Sequence, residues 1–144
     1  MSTSDKLKRY NEFRQKTLWY AHNGENNAPE AAYLALGLTG ESGEFGDAIK
    51  KIVRKTGFDN FNAFNDQLEI NFFKLVAELG DVFWYLTGLC DYLDITLEEL
   101  ASYNAQKLWC RCVDAGLIDA QEIPQPFPGL EMGGEIIDWE HFIK

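Results

Sequence analysis

The sequence predicts an all-α fold: a four-helix bundle followed by an extended C-terminal tail. Three observations lead there. Apolar residues recur at helical spacing in four segments. None of those segments alternates with the period of two that marks a half-buried strand. The connections are short and rich in turn formers, as in bundles built from neighbouring amphipathic helices. A length of 144 residues suits one domain with a real core. With 46% hydrophobic residues, the chain is too apolar to be disordered.

The first helix is expected over residues 4–20, where Leu7, Tyr10, Phe13 (or Arg14), Thr17 and Leu18 are spaced by three or four. A loop of His22, Asn23, Gly24, Glu25, Asn26 and Asn27 follows. Pro29 is well placed to open the second helix, which is expected to run to about residue 55. Gly57 and the Asn/Asp-rich stretch 59–66 read as a loop, although its Phe58, Phe61 and Phe64 suggest that it packs on something. The third helix, about 67–93, has the cleanest signal: Leu68, Phe72, Leu75, Leu79, Val82, Phe83, Leu86, Leu89 and Leu93 keep to one arc. Thr96 and Glu99 form a capping box at the start of the fourth, which stops near Cys112, before Gly116. Beyond it, Pro124, Pro126 and Pro128 at alternate positions predict an extended tail, with Trp139 and Phe142 as residues that could dock back. Residues 1–115 are thus expected as one helical domain, and 116–144 as a tail, not a second domain.

Composition narrows the function. The formal net charge of −10 argues against a basic groove following a nucleic-acid backbone, so no nucleic-acid partner is expected. It leaves room for phosphate-bearing small molecules, because a divalent cation reverses the local field. No apolar run approaches the roughly 18 residues a membrane helix needs. Residues 1–9 are polar and lack the apolar core of a signal peptide. Three cysteines, Cys90, Cys110 and Cys112, are an odd number without CxxC spacing, which argues against a disulfide framework and a structural zinc. A cytoplasmic location is the expectation.

The informative residues are Glu41 and Glu44 on the second helix, and Glu78 and Asp81 on the third. Each pair is spaced i, i+3, so its carboxylates project from one side of a helix. Setting the first carboxylate of each pair to zero, the third helix's apolar residues fall at about 20–160°, with Asp81 near −60°. On the second helix Leu34, Leu38, Phe45, Ile49 and Val53 fill about the same arc. Antiparallel neighbours packed by those stripes bring four carboxylates to one edge, where they repel and favour a cation. Oxygen ligands without histidine or cysteine select magnesium or manganese over zinc. Taken singly, an ExxE or ExxD is usually a solvated helix face, as Asp47 and Lys51 make an ordinary surface pair. The matching shoulders distinguish these two.

Gly37, Gly40, Gly43 and Gly46 recur every third residue, each costing a helix up to about 1 kcal/mol relative to alanine. Either close approach of a backbone or ligand, or helix packing through small residues, would explain them. It is not a dinucleotide fingerprint, because the spacing is GxxGxxG and no strand precedes it. Asn104, Lys107 and Arg111 share one face of the fourth helix and suit a polyphosphate, although a snorkelling surface face is the plainer alternative. Trp84 and Tyr85 directly follow the second carboxylate pair and are candidates to line the site. Phe13, Trp19 and Tyr20 are candidates to stack on a base, with core packing as the commoner role. Neither His22 nor His141 completes the Glu-x-x-His pattern of a ferritin-like di-iron bundle.

Three motifs in order carry a family resemblance. They are Leu38-Thr39-Gly40-Glu41-Ser42-Gly43-Glu44-Phe45-Gly46-Asp47-Ala48-Ile49-Lys50-Lys51, Glu78-Leu79-Gly80-Asp81-Val82-Phe83-Trp84-Tyr85-Leu86 and Asn104-Ala105-Gln106-Lys107-Leu108-Trp109-Cys110-Arg111. Over about residues 34–111 they resemble the MazG-like nucleotide pyrophosphohydrolases of the all-α NTP pyrophosphatase superfamily. The resemblance implies hydrolysis of a nucleoside triphosphate between its α and β phosphates, giving a monophosphate and pyrophosphate. It makes residues 1–115 the catalytic domain. It assigns Glu41, Glu44, Glu78 and Asp81 to magnesium, with manganese as a substitute, and Asn104, Lys107 and Arg111 to the nucleotide. It also implies a homodimer or homotetramer. Many members carry two adjacent glutamates where this chain has Gly40, which inclines the comparison towards the small deoxynucleotide pyrophosphatases. The stretch between the carboxylate pairs is also longer than in typical members. On this assignment Glu44, and less directly Glu41, would take the proton of the attacking water. Phosphoribosyl-ATP pyrophosphohydrolase is the alternative within the superfamily. A non-catalytic acidic module that binds a basic partner or mimics DNA is the alternative outside it.

Overall fold

The computed structural model describes residues 3–20, 23–117, 131–132 and 135–136. Five α-helices make up the described body: α1 (Thr3–Arg14), α2 (Ala28–Thr56), α3 (Phe61–Ile70), α4 (Phe72–Tyr92) and α5 (Leu97–Asp114). Two-residue strands β1 (Glu131–Met132) and β2 (Glu135–Ile136) pair antiparallel, Glu131 opposite Ile136. The fold is therefore all-α, as the periodicity predicts. The chain forms two compact units, Met1–Asp94 and Ile95–Lys144. Among the described residues no helix is long and apolar enough to cross a membrane. The prolines at 124, 126 and 128, and His22, Trp139, His141 and Phe142, lie outside the described residues.

α1 ends earlier than its apolar spacing predicts. It stops at Arg14, and a single 3-10 turn at Gln15–Thr17 follows. The Thr17 hydroxyl donates to the Arg14 carbonyl at 2.7 Å and accepts from the Trp84 indole N–H at 2.9 Å, which satisfies a helix-end carbonyl and pins the turn to α4. The inward residue is Arg14, 2% exposed, whereas Phe13 is 66% exposed. Arg14 pairs with Asp91, donates through Nε to Asn11 Oδ1 at 3.0 Å and lies over the Trp84 ring at 5.6 Å.

α2 begins as Pro29 predicts, with Asn27 as N-cap accepting from the Glu30 N–H at 3.0 Å. It ends at Gly57, whose φ of 77° is the left-handed conformation glycine tolerates, and whose N–H donates to Val53 O at 2.7 Å. The loop expected over 57–66 needs correction, because Phe61–Ile70 is helix α3. Asn60 accepts from the Ala63 N–H at 3.1 Å, so an asparagine that reads as turn chemistry is here an N-cap. Phe64 and Leu68, one turn apart, pack against the core of Ala48, Ile52 and Leu75, so the suspicion that the stretch packs on something holds. Residues 67–70 belong to α3, and α4 starts after a break at Asn71.

α2 and α4 are antiparallel. Leu34 meets Gly88, Gly37 meets Tyr85, and Ala48 and Ile52 share a core with Leu75, each advance along α2 matched by a retreat along α4. The apolar stripes are wider than this contact. Leu34, Ile52 and Leu75 are buried, but Phe72, Leu79 and Leu93 are 55%, 48% and 62% exposed.

In the second unit, α5 carries the expected capping box: Glu99 N–H donates to Thr96 Oγ1 at 3.1 Å and Thr96 N–H to Glu99 Oε2 at 2.7 Å. It closes through Gly116, at φ 67°, with the Leu117 N–H donating to Cys112 O at 2.9 Å. All three cysteines are free.

Candidate functional site

The α2–α4 register sets the geometry of the acids. With Leu34 at Gly88 and Gly37 at Tyr85, one further turn brings Glu41 and Glu44 alongside Glu78 and Asp81. One carboxylate oxygen from each of Glu41, Glu44 and Glu78 lies within 4.8 Å of the other two. Glu41 and Glu78 are half-buried and Glu44 is exposed. Asp81 is outside this triplet. It is exposed on α4, three residues past Glu78 and so turned about 60° back from it. Its charge nevertheless reaches Glu41: burial first, then Glu44, Asp81 and Glu78, hold the Glu41 carboxyl above its ordinary range. Three carboxylate oxygens this close are a donor set for one hard divalent cation, and lack the nitrogen and sulfur that zinc favours.

The nearest lysines on α2 are engaged elsewhere. Lys50 and Lys51 both pair with Asp47, Lys51 at 2.7 Å, and their hydrogen bonds pull the Asp47 carboxyl down to about 2. Asp47 is thus the surface pair its spacing suggests, distinct from the triplet one turn earlier.

The glycine repeat has one geometric reason. A Cβ at Gly37 would fall inside the Tyr85 ring, whereas at Gly40, Gly43 and Gly46 it would meet nothing within 4 Å. The close approach is therefore by an aromatic side chain, at one position of the four. Gly37→Ala should push Tyr85 off its seat and cost about 1–3 kcal/mol by overpacking, while Gly43→Ala stabilises α2 slightly. Chemical denaturation of the two variants checks the difference.

Tyr85 belongs to an aromatic row beside the acids. Tyr20 stacks on Tyr33, centroids 4.4 Å apart at 15°, and Tyr33 meets Tyr85 at 6.1 Å. Trp84 packs edge-on against Tyr85 at 4.8 Å and against Tyr20 at 6.2 Å. The Tyr85 hydroxyl is raised to about 12, first by its hydrogen bond with Tyr33, then by burial and the charges of Tyr33, Glu41 and Asp81. The row thus joins the end of the first helical segment to the edge of the carboxylate cluster. Tyr20, Trp84 and Tyr85 are in it; Trp19, 91% exposed, and Phe13 are not. Sequence reasoning missed Tyr33, although Tyr33, Gly37, Glu41 and Glu44 lie on one helix face at i, i+4, i+8, i+11.

At the far end of the row lies a cleft of about 560 Å³, lined by Arg14, Tyr20, Asn23, Asn26, Glu30 and Asp91 among others. Asn104, Lys107 and Arg111 lie on α5, in the second unit; Asn104 and Arg111 are exposed and Lys107 half-buried, at spacings that put all three on one face.

Residues 30–114, more than half of the chain, match the family described as the MazG nucleotide pyrophosphohydrolase domain. The chain is 38% identical over 87 residues to the gene 37 protein of Mycobacterium phage L5, a match that spans 60% of this chain and 69% of that protein. No solved structure matches.

Proposed function

The chain belongs to the MazG nucleotide pyrophosphohydrolase family, and from that premise we propose that it hydrolyses a deoxynucleoside triphosphate between its α and β phosphates with the help of magnesium. The convergence of Glu41, Glu44 and Glu78 within 4.8 Å carries this reading. These three would hold the cation, with Asp81 beside them as a fourth carboxylate. When bound, a magnesium or manganese ion neutralises phosphate charge and lowers the pKa of an attacking water. Glu44, the exposed member of the triplet, is open to water and is assigned to take its proton, with Glu41 as the more buried partner. Asn104, Lys107 and Arg111 supply an amide, a point charge and a forked donor suited to phosphate oxygens and the departing pyrophosphate. The row of Tyr20, Tyr33 and Tyr85 offers apolar faces for a base, and Trp19 an exposed one. The preference for deoxynucleotides rests on Gly40, which stands where many relatives carry a second glutamate.

A homodimer or homotetramer, in the cytoplasm, completes the proposal. Phe72, Phe73 and Val76 leave an apolar ridge exposed at the start of α4, which self-association would cover. A DNA-mimicking acidic module is less well supported, since a mimic needs its charge spread over a surface and these carboxylates converge. The test is a panel of ribo- and deoxynucleoside triphosphates, with phosphoribosyl-ATP, incubated with Mg²⁺, Mn²⁺ or excess EDTA and resolved by anion exchange. Pyrophosphate and a monophosphate are expected, and nothing in EDTA. Orthophosphate as the product, or turnover in EDTA, contradicts the proposal.

A further inference from the structure

Glu30 stands in the first turn of α2, 6% exposed, and its carboxylate is turned back onto the segment that precedes the helix. Oε1 accepts from the Gly24 N–H at 2.7 Å and from the Tyr20 hydroxyl at 3.2 Å, and Oε2 accepts from the Asn26 N–H at 2.8 Å. Gly24 and Asn26 both have positive φ, 73° and 47°, a backbone shape that glycine and asparagine adopt more readily than other residues. One buried carboxylate thus gathers three donors from both sides of the connection between α1 and α2. The α2 N-terminus favours its negative charge.

Those donors matter because of what they carry. Tyr20, Asn23, Gly24, Asn26 and Glu30 together line one side of the 560 Å³ cleft. Tyr20 also starts the stack on Tyr33 that leads through Tyr85 to the carboxylate cluster. Burial, then the charge and hydrogen bond of Glu30, raise the Tyr20 hydroxyl to about 12, so it remains a donor throughout the neutral range.

We propose that Glu30 is a positioning residue for the nucleoside end of the substrate: by fixing residues 23–26 and Tyr20 as one wall, it sets the seat into which the base stacks. The inference rests on the nucleotide reading above. Glu30 touches neither phosphate nor metal in this scheme and acts through Tyr20 and the loop.

Glu30→Gln tests it in the full chain. A glutamine replaces one acceptor oxygen with an NH₂ group, so at least one loop N–H then faces a donor. Amide hydrogen exchange at residues 24 and 26 should rise about tenfold, the ordinary effect of one buried donor left unmet, while exchange around Glu41 and Glu44 stays unchanged. KM for the deoxynucleoside triphosphate should rise by about the same factor. The kcat and competitive inhibition by inorganic pyrophosphate with Mg²⁺ should hold. Tyr20→Phe, which keeps both backbone bonds to Glu30 and the ring stack, should give a smaller KM rise and intact folding.

Unchanged exchange in Glu30→Gln overturns the latch. Raised exchange with unchanged KM overturns its link to the nucleotide. A joint fall of kcat, nucleotide affinity and pyrophosphate inhibition makes Glu30 a residue of the fold at large. If the wild-type chain releases no pyrophosphate from any triphosphate, the catalytic reading and the nucleoside role both fall, and the exchange measurement alone decides whether the carboxylate holds the loop.

Discussion

Glu78→Gln is expected to slow pyrophosphate release at least about a thousandfold, equivalent to about 4 kcal/mol of lost transition-state stabilisation. Glutamine preserves shape and helix propensity, so the change removes one negative ligand from the triplet and little else. The same substitution should leave metal-free stability unchanged or raise it, because Glu78 is one of the charges that push Glu41 above its ordinary range. Opposite movement of the two quantities separates a ligand from a packing residue. Steady-state pyrophosphate release and thermal unfolding in EDTA measure them. A lower melting temperature that accounts for the lost activity would contradict the assignment. Asp81→Asn, outside the triplet, should lose less activity than Glu78→Gln.

Arg14→Ala is expected to destabilise the protein by about 2–3 kcal/mol, lowering the melting temperature by on the order of 10 °C. The side chain is 2% exposed and ties α1 to α4 through Asp91 and the Trp84 face. Its loss leaves Asp91, among the described residues, with the amides of Asn11 at 2.8 Å and Gln15 at 3.3 Å as its side-chain partners. Asp91 keeps 31% of its side chain in solvent, which places the cost below that of a fully buried pair. Replacing both partners, Arg14→Met with Asp91→Leu, should recover part of the loss, since no unpaired charge then remains. Urea denaturation of the two variants beside the wild type decides. A single replacement within 0.5 kcal/mol of wild type would mean that α1 is held by other contacts.

The all-α class, the start of α2 and the α5 capping box follow from short-range chemistry: periodicity, a proline in the first turn, a threonine three residues before a glutamate. α3 was hidden because Asn60 and Asn71 look alike in sequence, although one caps a helix and the other separates two. What distinguishes them is the packing of Phe64 and Leu68 on the core, a long-range fact. The meeting of Glu41, Glu44 and Glu78 was legible because i, i+3 spacing and a shared shoulder are properties of a helix itself. Asp81's place just outside the triplet was not, although its charge still reaches Glu41. Periodicity leaves the inward place open between Phe13 and Arg14, and the placement of Asp91 and Trp84 decides it for Arg14. Tyr33 was overlooked because its partners, Tyr20 and Tyr85, lie in other segments.

Manganese titration followed by electron paramagnetic resonance tests most directly whether α2 and α4 jointly bind a divalent ion. The wild-type chain should remove free Mn²⁺ from solution. Glu41→Gln, Glu44→Gln and Glu78→Gln should each weaken that uptake at least about tenfold, whereas Asp47→Asn, whose carboxylate is held by Lys50 and Lys51, should leave it intact. Uptake that is equal in all five proteins, or lost only in Asp47→Asn, would show that the three glutamates do not form the metal centre.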